Sequence, residues 1–430
     1  TLNGLPIASP NPDNKLIPLD IFPTATVQNI TVSKVYEVGS FADYSGAHID
    51  IGTKESVGRD FLTADFNVGG AFNTLGSDFY RSDRRGTMFI TDKLDDRYWN
   101  MSRTEFNTDV LRTDPFDTSF AIDRQTALPD FGGSLSGSKE WDFAGGDALS
   151  LMASLGISHS SQILDGANVK TMNKQGDIKN NFDYDSFTSR LNLAGLLSLG
   201  YSFRESDNLS YTFLYARNAE DEYRNRSGFD SEGNDLLGSN SVFHAYSLLN
   251  NQLAGHHDFA GRWTLDWAAS YGMTRSDEPD RRQVMFRRDP ETNEPTRLFL
   301  LNQQETMRYF GELEENELVG DVRSSYRWND NDLVRFGAAY KNKKRDFRSA
   351  NFYYNLDNLN ADITTIYDTD GYLNYANVQN GSIVVDRNMQ ARNSYQAAHD
   401  ILAGFAEIEL HPWASWMVNV GVRVENSRQS

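Results

Sequence analysis

The tetrapeptide Gly255-His256-His257-Asp258 sets two imidazoles and a carboxylate side by side, the side-chain types that hold zinc. On an extended chain, neighbouring side chains point to opposite faces, so His256 and His257 do not readily share one ion and read better as interfacial or turn residues. Residues 230–235 (DSEGND) and 368–371 (DTDG) alternate oxygen donors in the manner of a calcium loop. Neither has the bidentate glutamate at the twelfth position of an EF-hand, which favours polar turns over a cation site. Cationic residues gather twice. Arg281, Arg282, Arg287 and Arg288 lie in "EPDRRQVMFRRD", and Lys343, Lys344, Arg345 and Arg348 lie in "KNKKRDFRSANFYYN" with Phe347, Phe352, Tyr353 and Tyr354. In an acidic chain such clusters can steer an anionic ligand, a ferric chelate or a glycan, and the aromatic rings can stack on sugars or planar chelators. The ligand-binding candidates are Arg281, Arg282, Arg287, Arg288, Phe347, Arg348, Tyr353 and Tyr354. Solvated loop residues, or contacts to lipopolysaccharide phosphates, are the competing reading. No nucleophile–base motif, metal-protease motif or phosphate loop occurs, and no spacing pairs two carboxylates for acid–base work. The expectation is therefore no enzyme, no catalytic residue, no resident metal and no cofactor.

What must position these residues is a succession of strands. "RWTLDWAASYG" puts Trp263, Leu265, Trp267, Ala269 and Tyr271 on one parity and Thr264, Asp266, Ala268, Ser270 and Gly272 on the other. The same period of two recurs over 62–72, 149–157, 191–203, 209–215, 318–328, 334–340 and 416–424, with weaker alternation at 78–90, 132–143, 244–257 and 395–410. About twelve strands result, each near or beyond the length that crosses a bilayer when tilted. The apolar faces of the eight clearest strands carry no Asp, Glu, Lys or Arg. The net charge of −19 excludes general binding to nucleic acid or anionic membrane surfaces, and the lack of cysteine excludes disulfides and thiolate metal sites. No apolar run approaches the length of a transmembrane helix, which says nothing against a transmembrane barrel.

The connections sort into short polar turns (at 73–78, 144–147, 204–208, 258–262, 329–332 and 411–415) and long ones (91–131, 159–185, 217–243, 274–315 and 342–394). Their alternation fits an outer-membrane barrel, with short turns at one rim and long loops at the other. Phe72, Trp141, Phe143, Phe203, Trp263, Trp328 and Trp416 stand beside the short turns, as an interfacial aromatic girdle would. A soluble sheet protein is the alternative. Inward charges such as Asp65, Asp266, Asp321, Arg323 and Arg335 are expected to pair across a lumen or to hold whatever fills it. On the lipid-facing reading, Ala269→Arg impairs assembly and Ser270→Arg is tolerated better.

The first sixty residues differ in texture. "TLNGLPI", then "PLDIFPTATVQNITVSKVYEVGSFADYSGAHIDIGTK", resembles the second half of the plug domain of TonB-dependent outer-membrane receptors. The matching residues are Asn3 and Gly4 of the turn, Leu19, Asp20 and Pro23, then Ile30, Val32 and Lys34, and Tyr44, Ser45, Gly46, Ile49, Ile51, Thr53 and Lys54. His48 stands where the family often has glycine, as a plug–barrel contact or part of a ligand site. "GVRVENSRQ" and "YQAAHDILAGFAEIEL" resemble barrel strands of the same family at the level of pattern. The resemblance implies an all-β fold with a small α/β plug remnant, part of a transmembrane antiparallel barrel with about 12 of about 22 strands present. Residues 1–56 would be the C-terminal half of the plug, and 57–430 the N-terminal part of the barrel. Thr1 without an initiator Met, and an end within a strand, suit an internal piece of a longer chain whose unclosed edge would keep it from forming a pore alone. The implied function is an outer-membrane receptor and active transporter for a scarce ligand, which would be a ferric chelate, cobalamin, glycan or peptide. The implied location is the outer membrane of a Gram-negative bacterium. The implied partners are the TonB-ExbB-ExbD complex, outer-membrane lipid and lipopolysaccharide, a small ligand and, as one option, a surface lipoprotein; nucleic acid is not among them. A non-energised adhesin or porin-like barrel is the runner-up, and a soluble β-rich glycan hydrolase a third class.

Overall fold

The computed structural model describes residues 1–9, 22, 24, 26–42, 47–55, 58–84, 86–116, 118–204, 206–292, 294–298, 306–355, 369–390, 393–413 and 415–430. Residues 1–9 lie beside a hairpin of β1 (Val27–Ser33) and β2 (His48–Thr53), with Leu2 bridged to Ile51. The Asn3–Gly4 turn takes the left-handed region at φ 49° and 80°, and the Asn3 side chain accepts the Thr53 amide at 2.9 Å. Then follow β3 (Phe61–Gly69), β4 (Asp78–Ser82), α1 (Asp96–Asn100), α2 (Arg103–Asp109), β5 (Ile122–Thr126), β6 (Asp130–Asp142), β7 (Ala148–Met172) and β8 (Ile178–Phe203). The remainder is β9 (Asp207–Phe229), β10 (Asp235–Phe259), β11 (Trp263–Arg288), β12 (Pro295–Leu298), β13 (Met307–Arg327), β14 (Leu333–Asn355), α3 (Tyr375–Gln379), β15 (Val384–Asn388), β16 (Ser394–Trp413) and β17 (Trp416–Gln429).

The chain is all-β with a small helical element. Eleven strands form one antiparallel path, β3-β6-β7-β8-β9-β10-β11-β13-β14-β16-β17. With β12 on β11 and β15 on β14, the sheet has 13 strands, and among the described residues it does not close into a barrel. The connections differ from the expectation. Residues 159–185 and 217–243 are not long loops: β7, β8, β9 and β10 run through them and reverse in tight turns at 173–177 and 230–234. At the second turn Asp230 accepts the Glu232 and Asn234 amides at 3.0 and 2.9 Å, so the "DSEGND" oxygens organise a turn. Likewise 274–288 and 342–355 continue as strand. The 73–78 segment is no near-end turn. β3 rises from the end where Trp141 lies, so Phe72 sits at the far end, inside one long connection from β3 to β6.

The two faces of the sheet are covered by different segments. Ser154, Leu196, Leu214 and Asn250 are cross-strand partners in an unbroken register and define the first face. Leu2, Ile7, Phe22 and Ile51 pack there on Leu196, Leu214, Ala216 and Leu248, while Leu5 and Phe41 pack on Val319, Ala339, Ile401 and Ala403. Leu191, Ala219 and Ala245 are register partners of the opposite parity, on the second face, and Met88 packs on them. Phe79 and Ala127 cover Ile163, Phe187 and Tyr223 on that face, and Tyr98, Trp99, Phe106 and Phe116 cover Phe310, Ala350 and Phe352. Each such ring taken from water contributes about 1.5–3 kcal/mol. The described part of residues 1–53 thus lies on one face and the described part of the β3–β6 connection on the other, at the far end.

Between the near-end turns and that second cover, the second face is bare. Its positions are Leu209, Tyr211, Phe213 and Tyr215 on β9, Trp263 to Met273 on β11, Leu318 to Tyr326 on β13, Leu402 to Leu410 on β16 and Trp416 to Val424 on β17. Residues of this parity such as Leu253, Val322, Phe336, Leu402 and Val422 are exposed. Trp141, Phe259, Trp263, Trp328, Trp413 and Trp416 mark its near edge, and the Arg275–Glu314 pair at 3.1 Å and the Tyr340 hydroxyl bonded to Asp400 at 3.1 Å mark its far edge. Gly255 is needed inside this band: a Cβ there would lie 2.5 Å from the Trp267 indole nitrogen, which donates to His257 at 3.2 Å. Gly255→Val is expected to expel the indole and destabilise the sheet by about 1–3 kcal/mol, read as a lower unfolding midpoint and altered tryptophan emission.

Candidate functional site

The far end of the second face is organised by one irregularity. Between Glu278 and Arg281 β11 carries one residue more than either neighbour, and Pro279, with no N–H to give the ladder, sits in the bulge. The extra residue swaps parity, so Arg282, Val284 and Phe286 turn onto the second face. Asp280, in the bulge, meets the Arg308 guanidinium at 2.6 Å and that of Arg282 at 3.5 Å, and all three side chains are buried. Arg308 also donates to the Thr118 hydroxyl at 2.8 Å, the Thr118 carbonyl at 2.6 Å and the Tyr354 hydroxyl at 3.0 Å. The rings of Phe116 and Phe120 lie 4.8 and 4.4 Å from its guanidinium. Arg282 reaches the Ser82 hydroxyl at 3.1 Å and the Ser119 and Asp83 carbonyls. Arg84 pairs with Asp221 at 2.7 Å. These bonds rivet the β3–β6 connection to β9, β11 and β13. Burial pushes the Tyr354 phenol up to about 12, against the pull of Arg308, so it stays protonated.

The same segment builds a cleft. A capping box, in which Ser102 accepts the Glu105 amide and Glu105 accepts the Ser102 amide, starts α2 and aims Phe106 at Phe352. The chain beyond α2 forms one wall and residues 369–385 the other, tied by the Ser119 hydroxyl on Asp370 at 2.5 Å. The space between them is about 560 Å³ and is lined by Asp114, Phe116, Ser119, Arg308, Tyr354, Asp370 and Tyr375 among others. A smaller cleft of about 310 Å³ shares Tyr354 and is lined by Arg103, Asn107, Tyr353 and Asp386, the Arg103–Asp386 pair being two-pronged at 2.6 Å.

The cationic candidates do not converge. Arg281 pairs with Glu278 at 3.1 Å and covers the Tyr309 ring. Arg282 is buried in the rivet, Arg288 pairs with Asp235 at 3.1 Å, and half-buried Arg287 accepts the Thr296 hydroxyl at its carbonyl. Phe347 packs on Tyr395, whereas Arg348 bonds Glu312 at 2.8 Å and Asp96 at 3.0 Å over the Trp99 ring. Tyr353 and Tyr354 line the clefts. His256 bonds Asp266 at 2.6 Å, while His257 lies on the other face. Sequence reasoning did not reach Asp280, Arg308 or Thr118; the proline between two carboxylates in a strand, "EPD", was the signal available.

On the first face the contacts are polar as well as apolar. The Ser9 amide donates to Glu315 at 2.9 Å, and Glu315 is also held by Lys343 at 2.9 Å and Arg345 at 2.5 Å. Gln252 donates to the Leu2 carbonyl and accepts from Asn3, both at 2.9 Å; the Ala42 amide donates to Glu425 at 3.0 Å, and Arg423 to the Val38 carbonyl at 3.2 Å. Asp321 pairs with Arg323 on its own strand, and Arg335 with Glu407 and Glu409 on the next. Thr53 is buried, half-buried Lys54 donates its amide to Thr26, and Lys34 is exposed after β1. His48 bonds the Thr1 hydroxyl within the same unit. Leu19, Asp20, Pro23, Tyr44, Ser45, Gly46 and Asp368 lie outside the described residues.

Asp280→Asn leaves two neighbouring buried cations without their shared carboxylate and is expected to cost about 3–5 kcal/mol. Arg308→Gln, which leaves Asp280 its Arg282 partner, should cost less. Limited proteolysis of the β3–β6 connection checks the order: faster cutting in Asp280→Asn than in Arg308→Gln, and slowest in the parent. In comparisons with family models, with curated proteins and with solved structures, nothing matches this chain.

Proposed function

We propose that the chain is part of an outer-membrane β-barrel receptor and active transporter of the TonB-dependent type, with its second face toward lipid and residues 1–53 filling the lumen. The observation that carries this reading is the bare band. On β11, β13, β16 and β17 it spans about 9–11 residues, the length a tilted strand needs to cross a bilayer. Its outward positions hold no Asp, Glu or Arg among the described residues; the one lysine, Lys139 on β6, lies at the near edge and reaches Asp60. Strands of up to 26 residues are far longer than the bilayer core, so their far ends would stand outside it with the β3–β6 connection packed around them. No described helix is long and apolar enough to cross a membrane.

The segment on the first face favours a gated transporter over a passive porin. Its polar contacts are separate hydrogen bonds, each modest, as for a body that moves under an applied pull. On this reading the loops capture a scarce ligand, and the TonB-ExbB-ExbD complex supplies the pull; no covalent chemistry is involved. Outer-membrane lipid and lipopolysaccharide are its surroundings, and a surface lipoprotein is one further partner to seek.

Ser270 is not the control position it promised to be. It is buried on the first face between Ala268, under Leu5, and Thr274, bonded to the Ala8 carbonyl. The informative pair is Val322→Arg, outward in the band, against Ser325→Arg, facing inward and half-buried. In the intact parent protein Val322→Arg should cost about 2–4 kcal/mol and lower the amount assembled in outer membranes, with Ser325→Arg near normal. Equal effects, or a monodisperse parent in buffer without detergent, would overturn the membrane reading. Ligand-dependent growth of a deletion strain separates transporter from adhesin.

A further inference from the structure

We propose that the two clefts flanking Tyr354 form a docking site for a neutral sugar chain, outside the path that residues 1–53 would control. Three observations carry it. First, the charge is wrong for an anion. Among the residues lining the larger cleft the cation is Arg308, buried and spent on Asp280 at 2.6 Å, while Asp114 and Asp370 present carboxylates. In the smaller cleft Arg103 is already held by both oxygens of Asp386. What remains is a mixture of carboxylate, amide and hydroxyl groups beside the rings of Phe116, Tyr353 and Tyr375. This suits a ligand with hydroxyls around its rim and C–H groups on its faces. Second, two polar atoms in the walls, the Tyr375 hydroxyl and the Asn107 carbonyl oxygen, are buried without a hydrogen-bond partner. Leaving such groups unpaired costs about 1–3 kcal/mol each, so the walls hold hydrogen-bonding capacity that their own contacts do not use. Third, at about 560 and 310 Å³ the clefts are in the range of small-molecule pockets, and sharing Tyr354 they can take consecutive residues of one chain.

Position narrows the source. Arg308 and Tyr354 belong to the second face, beyond the far edge of the bare band. If that band meets lipid, which is the reading proposed above, the clefts open at the level of the surrounding surface sugars. The same chemistry therefore admits a free oligosaccharide or the sugar chain of neighbouring lipopolysaccharide.

The test uses the intact parent protein, with detergent if extraction requires it. The probes are maltohexaose, cellohexaose, xylohexaose and mannohexaose, and separately vesicles carrying lipopolysaccharide from the source strain. Binding is followed by saturation-transfer NMR and calorimetry. The expected result is binding of at least one probe at millimolar concentration or tighter, weakened about tenfold by Asp370→Ala and by Tyr375→Phe but not by Lys170→Ala on the distant β7 turn. Tyr375→Phe removes only the unpartnered hydroxyl, so a loss there is not a folding defect. A free hexasaccharide that binds names a soluble glycan; binding confined to the vesicles, with the same sensitivity, names the surrounding coat. No binding by any probe, binding indifferent to both cleft variants, or displacement by an anionic ferric chelate overturns the proposal. Sugar binding by a protein that needs no detergent keeps the site and discards the membrane reading.

Discussion

Everything in this fold depends on the unbroken register that runs from β8 through β10. In an antiparallel ladder a residue and its cross-strand partner share a face, and nothing short of an inserted residue changes that. Over more than twenty residues per strand the sheet therefore keeps two distinct surfaces, and each must be reconciled with its own surroundings. One meets residues 1–53 through Leu196, Leu214 and Ala216; the other meets the β3–β6 connection through Leu191, Ala219 and Tyr223. An insertion at Pro279 in β11 is where a set of arginines and an aspartate are turned inward together.

The sequence made the near half of the sheet legible and the far half not. Where one face is bare and the other polar, alternation is plain: Trp263 to Tyr271 and Trp416 to Val424 read directly as strands. Farther along, as from Arg217 to Asp221, both faces are covered or both carry hydrogen-bonding groups, and the period of two dissolves in such stretches. Those stretches read as loops because polarity was taken for exposure, whereas Arg217, Asn218 and Asp221 are all buried. Tyr353 and Tyr354 were legible as candidates for contact with a ligand. Their neighbours Asp114, Asp370 and Tyr375 come from segments remote in sequence, and no local pattern links them.

Electrostatics divides along the same lines. The acidic chain holds 41 Lys and Arg against 60 Asp and Glu, and several of its cations are spent on buried contacts. Arg282 and Arg308 bind the β3–β6 connection to the strands, while Lys343 and Arg345 fix Glu315 beside Ser9. Removing water from such groups is expensive, and the expense is tolerable only where several donors and acceptors close around each charge. The arginines that suggested anion capture are thus fastening groups, and the surfaces left open are carboxylate-rich and aromatic.

One detail of β9 has a mechanical meaning. Ala216 and Ala219 are both fully buried and lie three residues apart on opposite faces, the first beneath Leu2 and Ile7, the second against Met88. There only the sheet itself separates the two covering segments, and both alanines are without exposed surface. A displacement of the segment on one side presses directly on the segment on the other, with no intervening layer to absorb it. The wall at that point behaves as a diaphragm.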